Sequence, residues 1–135
     1  MVKTEYRVIY GDTDQMGVVY YANYLRLFEA GRNEYLRAHG ARYRDIEQEH
    51  DIHLPVAEAH IAYKQPARYD DLLVIETALG KVGAASARFD YRVLRDGALV
   101  ATGFTLHACI DHQGKVRRLP AAVADRLRPT ITRAT

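Results

Sequence analysis

Serine, cysteine, long apolar runs and any excess of one charge are all scarce in this sequence, and each shortage closes off a class of chemistry. Serine occurs once, at Ser86, between two alanines and outside any G-x-S-x-G elbow, so no serine nucleophile of the usual hydrolase type is on offer. Cysteine also occurs once, at Cys109, which excludes an internal disulfide framework and suits a reducing compartment. Its setting in the apolar run "TLHACI" marks a buried structural thiol, because a nucleophile there would need an activating basic neighbour. No apolar run approaches the length of a membrane span, and the opening "MVKTEYRVIY" lacks the apolar core of a signal peptide. A cytoplasmic protein without membrane association is expected. The 19 Lys and Arg residues are interleaved with 17 Asp and Glu, leaving a net charge of only +2. A nucleic-acid partner calls for a basic stripe, and the one short basic run is residues 115–118, so no such partner is expected.

What the sequence does contain is the making of one globular domain, residues 1–135. A composition of 48% hydrophobic and 27% charged residues excludes global disorder. A chain of this length buries about two-thirds of its unfolded surface. Residues 3–10 alternate, with Tyr6, Val8 and Tyr10 facing one way and Glu5, Arg7 and Ile9 the other, which predicts a half-buried strand. Residues 11–17 read as a turn. Between residues 21 and 39 the period changes: Tyr21, Tyr24, Leu25, Phe28, Gly31, Tyr35 and Ala38 recur at steps of three or four, opposite Arg26, Glu29, Asn33 and Arg37. That is an amphipathic helix of about five turns, stopped by Gly40. Gly31, mid-helix on the apolar stripe, costs about 1 kcal/mol against alanine, which close approach to another backbone would offset.

A short helical piece, "YRDIEQEH", is followed by strands over residues 54–63, 72–81, 84–95 and 98–111. Asp96 and Gly97 between the last two are a hairpin signal, Pro66 breaks the chain before the second of the four, and Pro120 opens a final short helix that Pro129 ends. The order is β-α-β-β-β-β. An antiparallel sheet curled around a single helix satisfies it. One helix cannot cover both faces and the edges of five strands, so self-association through an edge strand or a face is expected.

The stretch "DTDQMGVVYYANY" (residues 12–24) carries the chemistry. Aspartates commonly start turns by bonding their own backbone, but Asp14 also lies just before a helix start, where unpaired amides and the helix dipole favour negative charge. Gly17 lets the chain fold back, and Met16, Val18, Val19, Tyr20 and Tyr21 supply apolar walls. An acid, a set of amide donors and a dry pocket suit hydrolysis of an activated carbonyl: the amides stabilise an oxyanion, at roughly 3 kcal/mol per donor, and the carboxylate activates water or attacks directly.

The segment "YGDTDQMGVVYYANYLRLFEAGRNEYLR", with its pattern D-x-D-x-x-G-V-V-Y-Y-x-N-Y and the helix behind it, resembles the hotdog-fold acyl-CoA thioesterases of the 4-hydroxybenzoyl-CoA thioesterase family, in their YbgC-like branch. "YKQPARYDDLLVIET" and "DHQGKVRRLP" extend the resemblance over nearly the whole chain. It implies an α+β hotdog fold, a five-stranded antiparallel sheet wrapped around one long central helix, and hydrolysis of an acyl-CoA without a cofactor. By the same resemblance Asp14 is the catalytic carboxylate and the Tyr21 backbone N–H the oxyanion donor. Asp12 becomes a turn former, and Asn23 and Tyr24 cap and pack the helix start. The substrate pocket, with Gly17, Val18, Val19 and Tyr20 along it, lies between subunits of a dimer or dimer of dimers. Ser86 falls in the segment that approaches the coenzyme, where "KVGAAS" leaves Lys81 as the nearby cation. Arg117 and Arg118 are then the candidates for the coenzyme phosphates, since guanidinium groups suit phosphate.

Other residues read more plainly. Six histidines are present, but no cysteine or carboxylate spacing around His50 and His53 completes a zinc site, so no metal is expected. His60 and His107 fall in strands, where a hydrogen-bonded structural role is expected. Glu58 is a lesser candidate for the pocket wall opposite Asp14, and Asp70 and Asp71 read as turn residues. Two other functions fit the same fold. A hotdog hydratase or dehydratase usually needs an aspartate–histidine pair, and residues 11–24 hold no histidine. A non-catalytic acyl-CoA-binding module would keep the pocket without needing Asp14.

Overall fold

A computed structural model describes residues 1–131, so the last four residues of the expected domain lie outside the described part. In chain order the elements are β1 (Val2–Arg7), α1 (Asn23–Ala38), α2 (Tyr43–His50), β2 (Ile52–His53), β3 (Val56–Tyr63), β4 (Leu72–Val82), β5 (Ser86–Arg95), β6 (Ala98–Ala108), β7 (Ile110–Asp111) and α3 (Ala121–Leu127). Single 3-10 turns stand at Tyr10–Asp12 and Arg128–Thr130.

The main sheet is antiparallel throughout and runs β1-β4-β5-β6-β3, with α1 packed across β1, β4 and β5. This is the five-stranded sheet around one helix that the element order requires. In β4 the two-residue period puts Leu73, Ile75, Thr77 and Leu79 inward, each fully buried. The facing stripe of α1 consists of Tyr24, Leu27, Phe28, Gly31, Tyr35 and Leu36. Phe28 stacks on Tyr91 of β5, centroids 4.2 Å apart, and burying such a ring contributes about 1.5–3 kcal/mol. Between β5 and β6, Asp96 and Gly97 both have positive φ, +49° and +79°, the backbone of a two-residue hairpin loop.

Four boundaries differ from the sequence expectation, each for a local reason. β1 stops at Arg7 because the Ile9 N–H turns to the Asp12 carboxylate and the chain enters a 3-10 turn. The helix begins at Asn23, leaving Tyr21 and Leu25 exposed; Ala38 is exposed as well, while Leu27 and Leu36 take core places. Pro55 has no N–H for a ladder, so the strand expected over residues 54–63 starts only at Val56, and Ile52–His53, ahead of the expected range, form β2, which pairs with β7 in a separate two-stranded sheet. Residues 98–111 divide where the Cys109 N–H turns to the Ala85 carbonyl.

The sheet ends on β3, most of whose residues are exposed on both faces, Val56 and Tyr63 among them. Among the described residues no helix is long and apolar enough to cross a membrane.

Candidate active site

The acidic turn divides its two carboxylates between scaffold and cavity. Asp12 is 4% exposed. Its Oδ2 accepts from the Tyr6 hydroxyl at 2.7 Å and the Ile9 N–H at 2.9 Å, and the Arg26 guanidinium lies 3.6 Å from Oδ1. Its main-chain oxygen accepts from the Tyr20 N–H at 2.8 Å and the Asn23 amide at 2.9 Å. Asp12 thus fastens β1 to the foot of α1, and Asn23 ties the helix back to the turn instead of capping it. A cavity of about 290 Å³ lies against Asp12, but its carboxylates are this engaged group and Glu29, 3.9 Å from Arg32.

Asp14 is half-buried and differently held. Its Oδ1 accepts from the Met16 N–H at 2.9 Å and, more weakly, the Val18 N–H at 3.4 Å. The Asp14 N–H donates to Val18 O at 2.9 Å and the Gly17 N–H to Asp14 O at 3.0 Å, closing a tight loop. Gly17 sits at φ +79°, which a side chain would strain. Oδ2 of Asp14 has no protein partner among the described residues.

That free oxygen belongs to a residue lining an open cavity of about 290 Å³, whose other walls include Val18, Val19, Tyr21, Tyr24, Tyr63 and Lys64. Tyr24 is buried and meets Tyr63 edge-on at 5.4 Å. The Tyr63 hydroxyl donates to the Tyr21 main-chain oxygen at 2.9 Å. The backbone N–H groups of Tyr21 and Ala22, just ahead of α1, have no acceptor among the described residues. A helix N-terminus with spare amides stabilises developing negative charge. The segment around Pro66 reaches this cavity because the loop is stitched to it: the Val19 N–H donates to Ala67 O at 2.8 Å, and Val18 bridges Arg68.

Of the residues singled out from sequence, Asp14, Tyr21, Val18 and Val19 share this one cavity, while Gly17 shapes the loop and Tyr20 stands exposed outside. Ser86 opens β5 opposite Ala108 and does not line it. Arg117 and Arg118 line a different cavity, of about 320 Å³, beside Asp111. The Arg117 Nε donates to Asp111 Oδ2 at 2.8 Å, and Arg118 is exposed. Within one chain, then, Ser86 and the two arginines do not meet the acid. Glu58 is exposed on β3, and His60, also exposed, stacks on Phe104. Asp71 is a turn residue as expected, its carboxylate accepting from the Arg68 N–H at 2.8 Å and Arg95 at 2.9 Å. Cys109 is fully buried, and burial pushes its thiol pKa up, away from nucleophilic duty. Tyr63 and Lys64, which are not among the site candidates from sequence, are the first two residues of the "YKQPARYDDLLVIET" segment that carries part of the resemblance.

With the geometry in place, the class is clear: a hotdog sheet and helix with an acid and a helix N-terminus opening on one cavity. A family profile described as the thioesterase-like superfamily matches residues 8–127. The chain belongs to that superfamily and is a thioester hydrolase by class. It is 37% identical to the acyl-CoA thioesterase YbgC of Haemophilus influenzae over 78% of this chain and 77% of that protein. It is 35% identical to a 1,4-dihydroxy-2-naphthoyl-CoA hydrolase of Synechococcus elongatus, over 92% and 93% of the two chains. The crystal structure of the hypothetical protein TT1821 from Thermus thermophilus superposes with a TM-score of 0.90 at 32% identity, covering 95% of this chain and 98% of that one.

Proposed function

We propose that this chain hydrolyses the thioester of an acyl-CoA to a carboxylic acid and free coenzyme A, with Asp14 as the catalytic carboxylate and the Tyr21 N–H as oxyanion donor. One observation carries the reading: Asp14, with one carboxylate oxygen free, and Tyr21, with its N–H unspent, line the same tyrosine-walled cavity. The thioester carbonyl oxygen is received at the foot of α1, where the donor and the helix dipole oppose its developing charge. Asp14 Oδ2 then takes a proton from water as the hydroxide adds, and returns it to the departing thiolate. In the alternative route Oδ2 itself attacks, the thiolate leaves, and water cleaves the resulting anhydride.

A second copy completes this site. β3 leaves a long edge unpaired with Val56, Ala59 and Tyr63 uncovered, and such an edge is a template for another strand. A dimer or dimer of dimers would bring together what one chain keeps apart. Arg118, exposed and without a carboxylate partner among the described residues, is the leading phosphate ligand; Arg117 shares its charge with Asp111. Ser86 lies along the same coenzyme path, and Lys64 is the cation on the rim of the Asp14 cavity.

The test is a thiol-release assay across short, long and aromatic acyl-CoAs, since three tyrosines accept a ring as readily as an alkyl chain. Asp14→Asn and Asp14→Ala are expected to lose at least about a hundredfold in turnover. Retained turnover in both would move the chemistry elsewhere, and binding without turnover by the wild type would leave a non-catalytic acyl-CoA-binding module. Single-turnover hydrolysis in oxygen-18 water separates the two routes. Direct attack by Asp14, with water then adding to the Asp14 carbonyl of the anhydride, leaves the first acid unlabelled and the label on Asp14, whereas general-base hydrolysis labels the acid.

A further inference from the structure

Two imidazoles meet at the seam between α2 and the small β2–β7 sheet. His53, in β2, and His112, immediately after β7, lie 59 residues apart in the chain, yet His53 Nε2 and His112 Nδ1 face each other in direct contact. The rings stand nearly perpendicular with centroids 4.2 Å apart. The outer nitrogen of each ring is held by a carboxylate: His53 Nδ1 is 2.6 Å from Glu47 Oε2, and His112 Nε2 is 2.7 Å from Asp51 Oδ1. A carboxylate keeps the proton on the nitrogen it touches, so the other nitrogen of a neutral ring carries the lone pair. Both inner nitrogens are then acceptors aimed at one another. Two lone pairs repel, and the array coheres only with a cation between them, either one proton or one metal ion. The flanking carboxylates supply two negative charges, which a proton half cancels and a divalent ion cancels in full.

We propose that His53 and His112 form a surface site for a late first-row divalent transition-metal ion such as Zn²⁺ or Ni²⁺, with Glu47 and Asp51 fixing the two tautomers. Imidazole nitrogens suit these ions, and an outer carboxylate behind each ligating histidine is the usual second layer of such sites. Among the described residues no group of three or more His, Cys, Asp or Glu converges on one point, so the protein supplies two ligands and water the remainder. The side chains of His53 and His112 are 34% and 51% exposed, which leaves room for that water. A Zn–N bond is about 2.0–2.1 Å, so the rings swing slightly apart to admit the ion. The site shares no residue with the Asp14 cavity. Its effect is mechanical: the ion ties the segment after α2 to the chain following β7 and stabilises the native state by linkage.

The test uses the full chain, stripped with a chelator, in calorimetric titrations and thermal melts with Zn²⁺ and with Ni²⁺. One ion should bind per chain, and the melting temperature should rise with ion concentration. His53→Gln and His112→Gln should each weaken binding at least about tenfold and remove the thermal shift, while Glu47→Gln, which keeps both nitrogens, should weaken it by about tenfold. Circular dichroism in metal-free buffer establishes that the variants fold; should a histidine variant fail to, Glu47→Gln decides alone, an unchanged affinity overturning the proposal. It is equally overturned if no saturable binding occurs below about 1 mM, or if binding is undiminished in a folded histidine variant, which leaves the pair sharing only a proton.

Discussion

The hydroxyl of Tyr63, at the end of the edge strand β3, donates to the main-chain oxygen of Tyr21 across 2.9 Å and 42 positions of sequence. This bond pins the peptide that follows the proposed oxyanion donor, and so helps set the direction in which the Tyr21 N–H points. Tyr63→Phe removes the bond and little else. It should cost about 1 kcal/mol of stability, while turnover falls about tenfold or more through misalignment with less change in KM. Steady-state kinetics beside urea denaturation check both halves.

The two acids of the turn should separate cleanly in experiment. Asp12→Ala strands the Tyr6 hydroxyl and the Ile9 N–H, both of which Asp12 now satisfies. A loss of about 2–3 kcal/mol in urea denaturation is expected. Turnover per folded molecule should stay within about tenfold of wild type, whereas Asp14→Asn should do the reverse, keeping stability and losing activity.

Gly31 is required by its neighbours. A Cβ there would stand 2.9 Å from Ile75 Cγ2 and closer still to Thr77 Oγ1, both on β4. Alanine gains about 1 kcal/mol in helix propensity, but overpacking a dense core costs about 1–3 kcal/mol, and here both contacts are violated at once. Gly31→Ala should therefore lower the urea midpoint despite the better helix former.

His107 makes stability depend on pH in a set direction. It is 1% exposed; burial lowers its pKa from 6.5 to about 4, with the bond to the Leu54 carbonyl opposing and the Arg32 charge adding to the fall. The unfolded chain therefore binds a proton on this ring between about pH 6.5 and pH 4 that the folded chain refuses. Stability from this source is present above that window and lost as pH falls through it, by up to about 3 kcal/mol. Urea titrations at pH 7 and pH 5 should show a shallower loss in His107→Gln than in wild type.

What could be read in advance was what the chain writes locally. Asp96 and Gly97 announced their hairpin because a two-residue loop needs positive φ at both positions. A strand over residues 72–81 was legible, and the fold turns its Leu73, Ile75 and Leu79 inward. The helix stripe was read one step off at Leu25, because stepping back by fours from Phe28 to Tyr24 and by threes to Leu25 looks alike until the sheet chooses between them. It chose Leu27 and Leu36 for its core. Long-range partners left no local trace. Tyr63 and Lys64 join Asp14 because residues 18 and 19 are stitched to residues 67 and 68, and His53 meets His112 because β2 pairs with β7. The family resemblance implies different roles for Asp12 and Asp14. What distinguishes them physically, the hydroxyl and amide spent on one and the free oxygen left on the other, is a property of the folded turn.

The seat of Asp14 is built from peptide groups alone. Nothing at positions 15, 16 or 18 is asked to contribute a side chain to holding the acid, and only Gly17 is bound to its identity by backbone shape. Drift can therefore re-upholster the walls, exchanging Met16 or Val18 for larger or smaller neighbours, while the proposed catalytic carboxylate stays where it is. A lineage using Asp14 as proposed is free to change its diet without relearning its chemistry.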